Sequence, residues 1–253
     1  MEWQAPAIVL EARPHGEGGA IVQVLTEEHG RHAGLAHGGG SRAQAGLWQP
    51  GNLVEVRWTG RAAEHLGAMR GEMVHPTAAL ALDEKLTLAL LNAACALSAD
   101  ALPEREAQPR VFAGLLTLMA NLGRGAPALL PDYVRYEALL LESLGFSLDL
   151  SACAVTGRRD DLTHVSPRSG RAVCREAAEP YRDRLLPLPL FLQGGQDERD
   201  PAEWLKGLSV TGHFLARDVF GGRHRPVPAA RQRLVDRVSA LLPPSERTAH
   251  AAS

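Results

Sequence analysis

Two cysteines, Cys153 and Cys174, frame the segment CAVTGRRDDLTHVSPRSGRAVC and give it the outer spacing of a structural zinc loop. A zinc ion that stabilises a fold needs four soft or borderline ligands, commonly two C-x-x-C pairs, to close its tetrahedral shell. Thr156 and Ala177 stand three residues after the two cysteines, where the second thiolates belong, and neither side chain ligates zinc. His164 is the further donor considered, which leaves the set short of four. A second set of donors, His29, His32 and His37, would suit a metal-dependent phosphoesterase if the rings converged. Residues 29 and 32 of one strand point to opposite faces, so these histidines read as surface groups flanking a turn. The run Gly38-Gly-Gly40-Ser-Arg42 lacks the spacing of a phosphate-binding P-loop, and reads as a mobile loop that lets a nucleic-acid backbone approach Arg42. No G-x-S-x-G elbow, H-E-x-x-H motif or paired-carboxylate motif is present, so enzymatic chemistry is not expected.

The densest basic patch is Gly221-Gly-Arg-His-Arg225, followed by Arg231, Arg233 and Arg237. Residues 1–80 carry 6 Lys/Arg against 8 Asp/Glu, residues 81–150 carry 5 against 9, and residues 151–253 carry 16 against 12. Basic charge is thus concentrated in the last third, almost all of it arginine, whose planar fork suits phosphate. On a helix Arg233 and Arg237 lie one turn apart, with Arg231 set away from them.

These side chains must be held by two kinds of element. AIVLEAR, GAIVQVLT, HAGLAHG, NLVEVRW and HLGAMRGEMV are short runs with partial alternation, separated by Gly, Pro and charged turns. Five strands in about 70 residues suit a small barrel, an OB-fold or equally an SH3-like barrel. From Asp83 the apolar period lengthens to three and four. DEKLTLALLNAACALS, RVFAGLLTLMANLG and DYVRYEALLLESLG read as helices, with Asp83 as N-cap, Gly123 and Gly145 at C-termini, and Pro103, Pro109 and Pro131 between them. Helices resume at AEWLKGLSVTGHFLARDVF and AARQRLVDRVSALL.

With 45% hydrophobic and 22% charged residues the chain can bury a real core, and it is neither disordered nor fibrous. No secretory signal is apparent, and the apolar run LTLALLNAACAL is far short of the ~20 residues of a membrane span. Three cysteines make no disulfide framework, so a reducing, intracellular setting is expected, with Cys95 as a buried hydrophobe.

The stretches IVLEARPHGEGGAIVQVLTEEHGRHAGLAHGG, LWQPGNLVEV, VRYEALLLESLGFSLDLSACAVTG and VSPRSGRAVC together resemble the RecO family of bacterial recombination mediators, over nearly the whole chain. The resemblance implies an α+β protein: an N-terminal five-stranded OB-fold β-barrel followed by an all-α helical domain with an inserted degenerate zinc-ribbon-like loop. The expected boundaries are 1–78 for the barrel, 79–150 for the first helical part, 151–180 for the cysteine loop, 181–242 for the C-terminal helical part and 243–253 for a flexible tail. It implies DNA repair and recombination in the RecF pathway and SOS response, without catalysis, in the cytoplasm on the nucleoid. Its members bind single- and double-stranded DNA, anneal complementary strands, engage the acidic C-terminal tail of single-stranded DNA-binding protein (SSB), and with RecR help load RecA; RecA and RecF are indirect partners.

Family members with the zinc loop carry two C-x-x-C pairs, and Cys153 and Cys174 match the first cysteine of each. The loop is therefore expected to be held by packing and turn hydrogen bonds, with no zinc or other cofactor. The barrel keeps few of the family's basic residues. DNA contacts are expected at Arg223, Arg225, Arg231 and Arg233, with Arg13, Arg31, Arg42 and Arg57 on the barrel; Trp48 and Trp58 could stack bases, and Trp58 reads equally as barrel core. Arg135, with Leu139 one turn on, is expected to read the SSB tail carboxylate. Two other classes stay open: an RNA-binding barrel, and the phosphoesterase on His29, His32 and His37.

Overall fold

The computed structural model describes residues 1–42, 44–62, 65–195 and 200–243. The chain forms two compact units, Met1–Gly125 and Ala126–Ser253.

In the first unit five strands, β1 (Glu2–His15), β2 (Gly19–Thr26), β3 (Gly30–Ala36), β4 (Leu53–Thr59) and β5 (Gly67–His75), form a sheet that closes on itself in the order β1-β2-β3-β5-β4. Neighbours are antiparallel except β3 and β5, which run parallel through Gly34 and Leu35 against Gly67 and Ala68. Burial alternates residue by residue along β3 and most of β2, the period-2 signal visible in the sequence. The interior is filled by Val9, Val22, Val24, Val54, Val56, Met69 and two indoles, Trp48 and Trp58. A Cβ on Gly67 would sit 2.4 Å from the Trp58 ring, so a glycine is what admits that indole.

Two helices, α1 (Lys85–Ala101) and α2 (Pro109–Ala120), belong to the same compact unit as the barrel. The reason is packing: Leu91 of α1 occupies the space a Cβ on Gly51 would need. Buried Asn52 then accepts from the Ala78 backbone N–H (3.1 Å) and donates to the carbonyls of Gly46 (2.7 Å) and Leu47 (3.2 Å), tying the barrel exit to the loop before it. The N-cap of α1 is Glu84, one residue beyond the expected Asp83, and Pro109 opens α2 instead of preceding it.

The second unit begins with α3 (Ala126–Ser143), which contains Pro131 instead of starting after it. Proline forfeits one intrahelical hydrogen bond there, and the burial of Leu129, Leu130 and Val134 offsets the loss. Gly145 ends the helix at φ +89°, in the left-handed region that C-terminal glycines adopt. The cysteine segment forms β6 (Leu162–Val165), β7 (Ala172–Cys174) and the single turn α4 (Arg175–Ala178); with β8 (Leu186–Pro187) the strands make a sheet ordered β7-β6-β8. Helix α5 (Pro201–Phe214) is capped by Asp200, which accepts from the Ala202 N–H at 2.9 Å, and continues as a π-helical turn, Leu215–Phe220. Helix α6 (Ala229–Ser239) follows. The expected tail lies outside the described residues beyond Pro243. Among the described residues no helix is long and apolar enough to cross a membrane.

Candidate nucleic-acid interface

The expected phosphate-binding arginines divide into three groups. Arg42, Arg223, Arg225 and Arg233 are exposed; Arg42 and Arg233 make no ion pair among the described residues. Arg13 and Arg57 are exposed on the barrel and each is held by a neighbouring carboxylate, Arg13 by Glu11 at 2.7 Å and Arg57 by Glu2. The hydrogen bond and charge of Glu11 raise the Arg13 pKa above its ordinary value. These guanidiniums can exchange a carboxylate for a phosphate at little cost, because exposed ion pairs are worth about 0–1 kcal/mol.

Arg31 and Arg231 are corrected by the structure. The Arg31 side chain is only 15% exposed and donates to the Leu102 carbonyl (2.9 Å) and the Gln23 side chain (2.7 Å), with Glu104 at 3.3 Å. It is a strut between β3 and the loop after α1. Arg231 is 5% exposed and forks onto Glu137, which is fully buried, through Nε–Oε1 (2.7 Å) and Nη2–Oε2 (2.9 Å). It also donates to the Leu208 carbonyl at 2.7 Å, and Thr211 donates to the same carboxylate. Burial works against the Arg231 charge, but Glu137 outweighs it and raises the pKa above the arginine norm. A guanidinium so enclosed joins α3, α5 and α6 and has no face for phosphate.

The two proposed stacking rings are also corrected: Trp48 is 2% and Trp58 1% exposed. Half-buried Trp3 takes their place at the barrel surface, with the His29 ring stacked on it at 4.4 Å and Trp58 behind it at 6.1 Å. His32 meets Trp3 and Trp58 edge-on, at 5.1 and 4.8 Å. The strand argument that parted His29 from His32 fails because His29 lies in the turn before β3, where Gly30 adopts φ +61°. Burial, then the charges of Arg105 and His29, lower the His32 pKa to about 4, while Glu104 opposes the shift. His37 is exposed beyond the far end of β3, so the three rings do not share a metal position. Trp3 escaped the sequence reading because the N-terminal strand starts at Glu2, five residues before its continuous buried apolar run over residues 7–10.

Arg135 pairs with Asp132 at 2.8 Å and donates to the Phe191 carbonyl at 3.1 Å, its guanidinium 5.6 Å above the Phe191 ring. Its side chain remains 37% exposed, and Leu139 on the same helix is half-buried.

In the cysteine loop the Cys153 sulfur accepts the Cys174 N–H at 3.2 Å, and the Thr156 hydroxyl lies 3.5 Å from the Cys174 sulfur. Burial pushes the Cys153 thiol up, but the N–H of Cys174, the hydroxyl and N–H of Thr156 and the N–H of Val155 overcome it and bring the pKa down to about 6. The turn thus points backbone N–H groups and a hydroxyl at the two sulfurs. His164 bonds the Thr163 hydroxyl at 2.9 Å, and among the described residues no three His, Cys, Asp or Glu side chains are grouped to hold a metal. Two thiols and a hydroxyl do not fit zinc.

The family model for the recombination protein O N terminus matches residues 1–77, and that for its C terminus matches residues 84–226. The chain belongs to the RecO family. The DNA repair protein RecO of Granulibacter bethesdensis is 52% identical over 242 residues, covering 95% of this chain and 97% of that protein. Its counterpart in Gluconacetobacter diazotrophicus is 53% identical over 255 residues, covering 96% and 97%, and that of Acidiphilium cryptum 50% over 245, covering 96% and 97%. The two family models take in the barrel, α1 to α3, the cysteine loop and α5, and reach part of both units, ending at residue 226 before α6.

Proposed function

We propose that this chain is a DNA repair and recombination mediator, acting without a catalytic centre or cofactor. It binds single- and double-stranded DNA, anneals complementary strands, and with RecR helps RecA displace SSB. The observation that carries the reading is membership of the RecO family over both units. The closed order β1-β2-β3-β5-β4 with a parallel β3/β5 pair supports the OB-fold label for the barrel. Arg42, Arg223, Arg225 and Arg233 supply sequence-blind phosphate contacts, with Arg13 and Arg57 as exchangeable additions, and the His29–Trp3 stack offers a ring surface for an unpaired base. Arg135 and Leu139 together present a cation and an aliphatic side chain to the acidic SSB tail.

Anisotropy titration of labelled oligo-dT, the matching RNA and a duplex across a salt series tests the reading. Affinity for DNA should fall with salt at a slope of about −0.7 per phosphate contact for single strands. Replacing both Arg223 and Arg225 by Ala should flatten that slope by about one to two. Stronger binding of RNA than of DNA, or binding indifferent to salt, would refute it.

A further inference from the structure

Cys153 and Cys174 are free thiols that hold no zinc set, yet the chain brings them together through its backbone. Asp149 and Arg171 form a parallel bridge, the Ala172 N–H donates to the Asp149 carbonyl at 2.9 Å, and the Ala154 N–H donates to the Ala172 carbonyl at 2.8 Å. Residues 149–154 therefore run alongside residues 170–174, and Cys153 meets the end of β7, where its sulfur accepts the Cys174 N–H at 3.2 Å. The Thr156 hydroxyl lies 3.5 Å from the Cys174 sulfur and also bonds the Cys153 sulfur. Two cysteines can be bridged without backbone movement when their Cα atoms lie within about 7 Å. A sulfur in contact with the other cysteine's own nitrogen, with one hydroxyl shared between the two sulfurs, meets that condition.

The third thiol provides the contrast. Cys95 is buried in α1, and burial alone pushes its pKa up to about 12. Cys153 instead opens the exposed turn 155–158, which is closed by the Cys153 N–H donating to the Arg158 carbonyl (2.7 Å) and the Gly157 N–H donating to the Cys153 carbonyl (2.9 Å). Breaking those two hydrogen bonds opens the turn, so no helix or strand has to unfold for the sulfur to meet a small oxidant. The N–H groups and the hydroxyl aimed at Cys153 favour its thiolate, the form that oxidants attack.

We propose that Cys153 and Cys174 are an oxidation site, which a hydroperoxide closes into an intramolecular disulfide stapling residues 153–174 and which external thiols reopen. The Cys153 thiolate attacks one peroxide oxygen: the S–O bond forms, the O–O bond breaks, and the other oxygen leaves with the electron pair and takes up a proton. Cys153 is then a sulfenic acid, oxidised by the two electrons the peroxide has gained. Cys174 attacks that sulfur; the S–S bond forms, the S–O bond breaks, and hydroxide leaves as water with the Cys174 proton. Two external thiols reverse the closure and become a disulfide themselves. In a reducing compartment such a bond is transient, the behaviour of a sensing disulfide rather than a structural one. The site stands independently of the DNA-mediator reading.

The test treats the reduced full-length chain with graded hydrogen peroxide, alkylates the remaining thiols in denaturant, and maps the digest by mass spectrometry. The expected product is one linked pair, Cys153 to Cys174, within a chain that stays monomeric on a non-reducing gel, is reopened by dithiothreitol, and leaves Cys95 alkylated. Oxidation should raise the urea midpoint of the parent and of C95S by about 1 M and leave that of C174S unmoved. In C174S the sulfenic acid has no thiol to resolve it, so dimedone should label Cys153; circular dichroism checks that each variant keeps its fold. The proposal is overturned if both thiols are still alkylated after peroxide that fully oxidises free cysteine, if the disulfide joins two chains, or if Cys153 in folded C174S takes no dimedone.

Discussion

Replacing Arg231 by Ala should destabilise the second unit severely without acting first on DNA. The substitution strands the Glu137 carboxylate, which has no exposed surface, and removes two hydrogen bonds to it of 2.7 and 2.9 Å together with a third to the Leu208 carbonyl. Breaking a buried pair by removing one partner costs about 3–5 kcal/mol, since the remaining charge is neither solvated nor paired. At a urea m-value of about 2 kcal/mol per molar, that is a midpoint lower by about 2 M, read by far-ultraviolet circular dichroism. The double substitution E137M/R231M removes both charges with apolar groups and should recover most of the loss, because desolvation of two ions is avoided. Arg233→Ala, on the exposed face, should change the stability by less than about 0.5 kcal/mol, a midpoint shift below about 0.25 M. An R231A variant as stable as the parent but weakened for DNA would refute the reasoning and return Arg231 to the phosphate-binding set.

Three further outcomes are expected. The His32 pKa is lowered from 6.5 to about 4, so the unfolded chain binds the extra proton between those values. Stability should therefore be full above about pH 6.5 and decline toward pH 4 by about 3 kcal/mol, and His32→Phe should flatten that dependence in urea melts at each pH. Cys153 is depressed from 9 to about 6, so its contribution is fully present above pH 9 and lost as pH falls through 6; Thr156→Val should raise its pKa, measured by thiolate ultraviolet absorbance, and an unchanged titration would contradict the role given to the hydroxyl. Gly212→Ala would place a Cβ 2.7 Å from Arg231 Nη1 and should cost about 1–3 kcal/mol, whereas Gly123→Ala, with open space around it, should be close to neutral in the same melts.

The strands were legible mainly where burial alternates, along β3, β4 and most of β2, and the helices because their apolar spacing shifts to three and four at Asp83. The early start of α3 was hidden by Pro127 and Pro131, whose usual meaning is a helix boundary, while tertiary burial of Leu129 and Leu130 overrode it. The cysteine turn could be read from Cys153, Thr156 and Cys174, but not the lowered Cys153 pKa, which depends on N–H groups converging on one sulfur. Arg231 was misread for a long-range reason: its partner Glu137 lies 94 residues away, and no local pattern marks a buried arginine. Trp58 was read as barrel core or stacking ring alike, and the close approach of Gly67 decides for the core. Arg42, Arg223, Arg225 and Arg233 kept the exposure their glycine-rich or polar surroundings suggested.

The most direct test of the mediator reading is the annealing of two complementary oligonucleotides pre-coated with SSB, with and without this protein, over a salt series. Annealing should accelerate, fade steeply as salt rises, and weaken when Arg223 and Arg225 are replaced by Ala. No acceleration with either bare or coated strands would contradict the account.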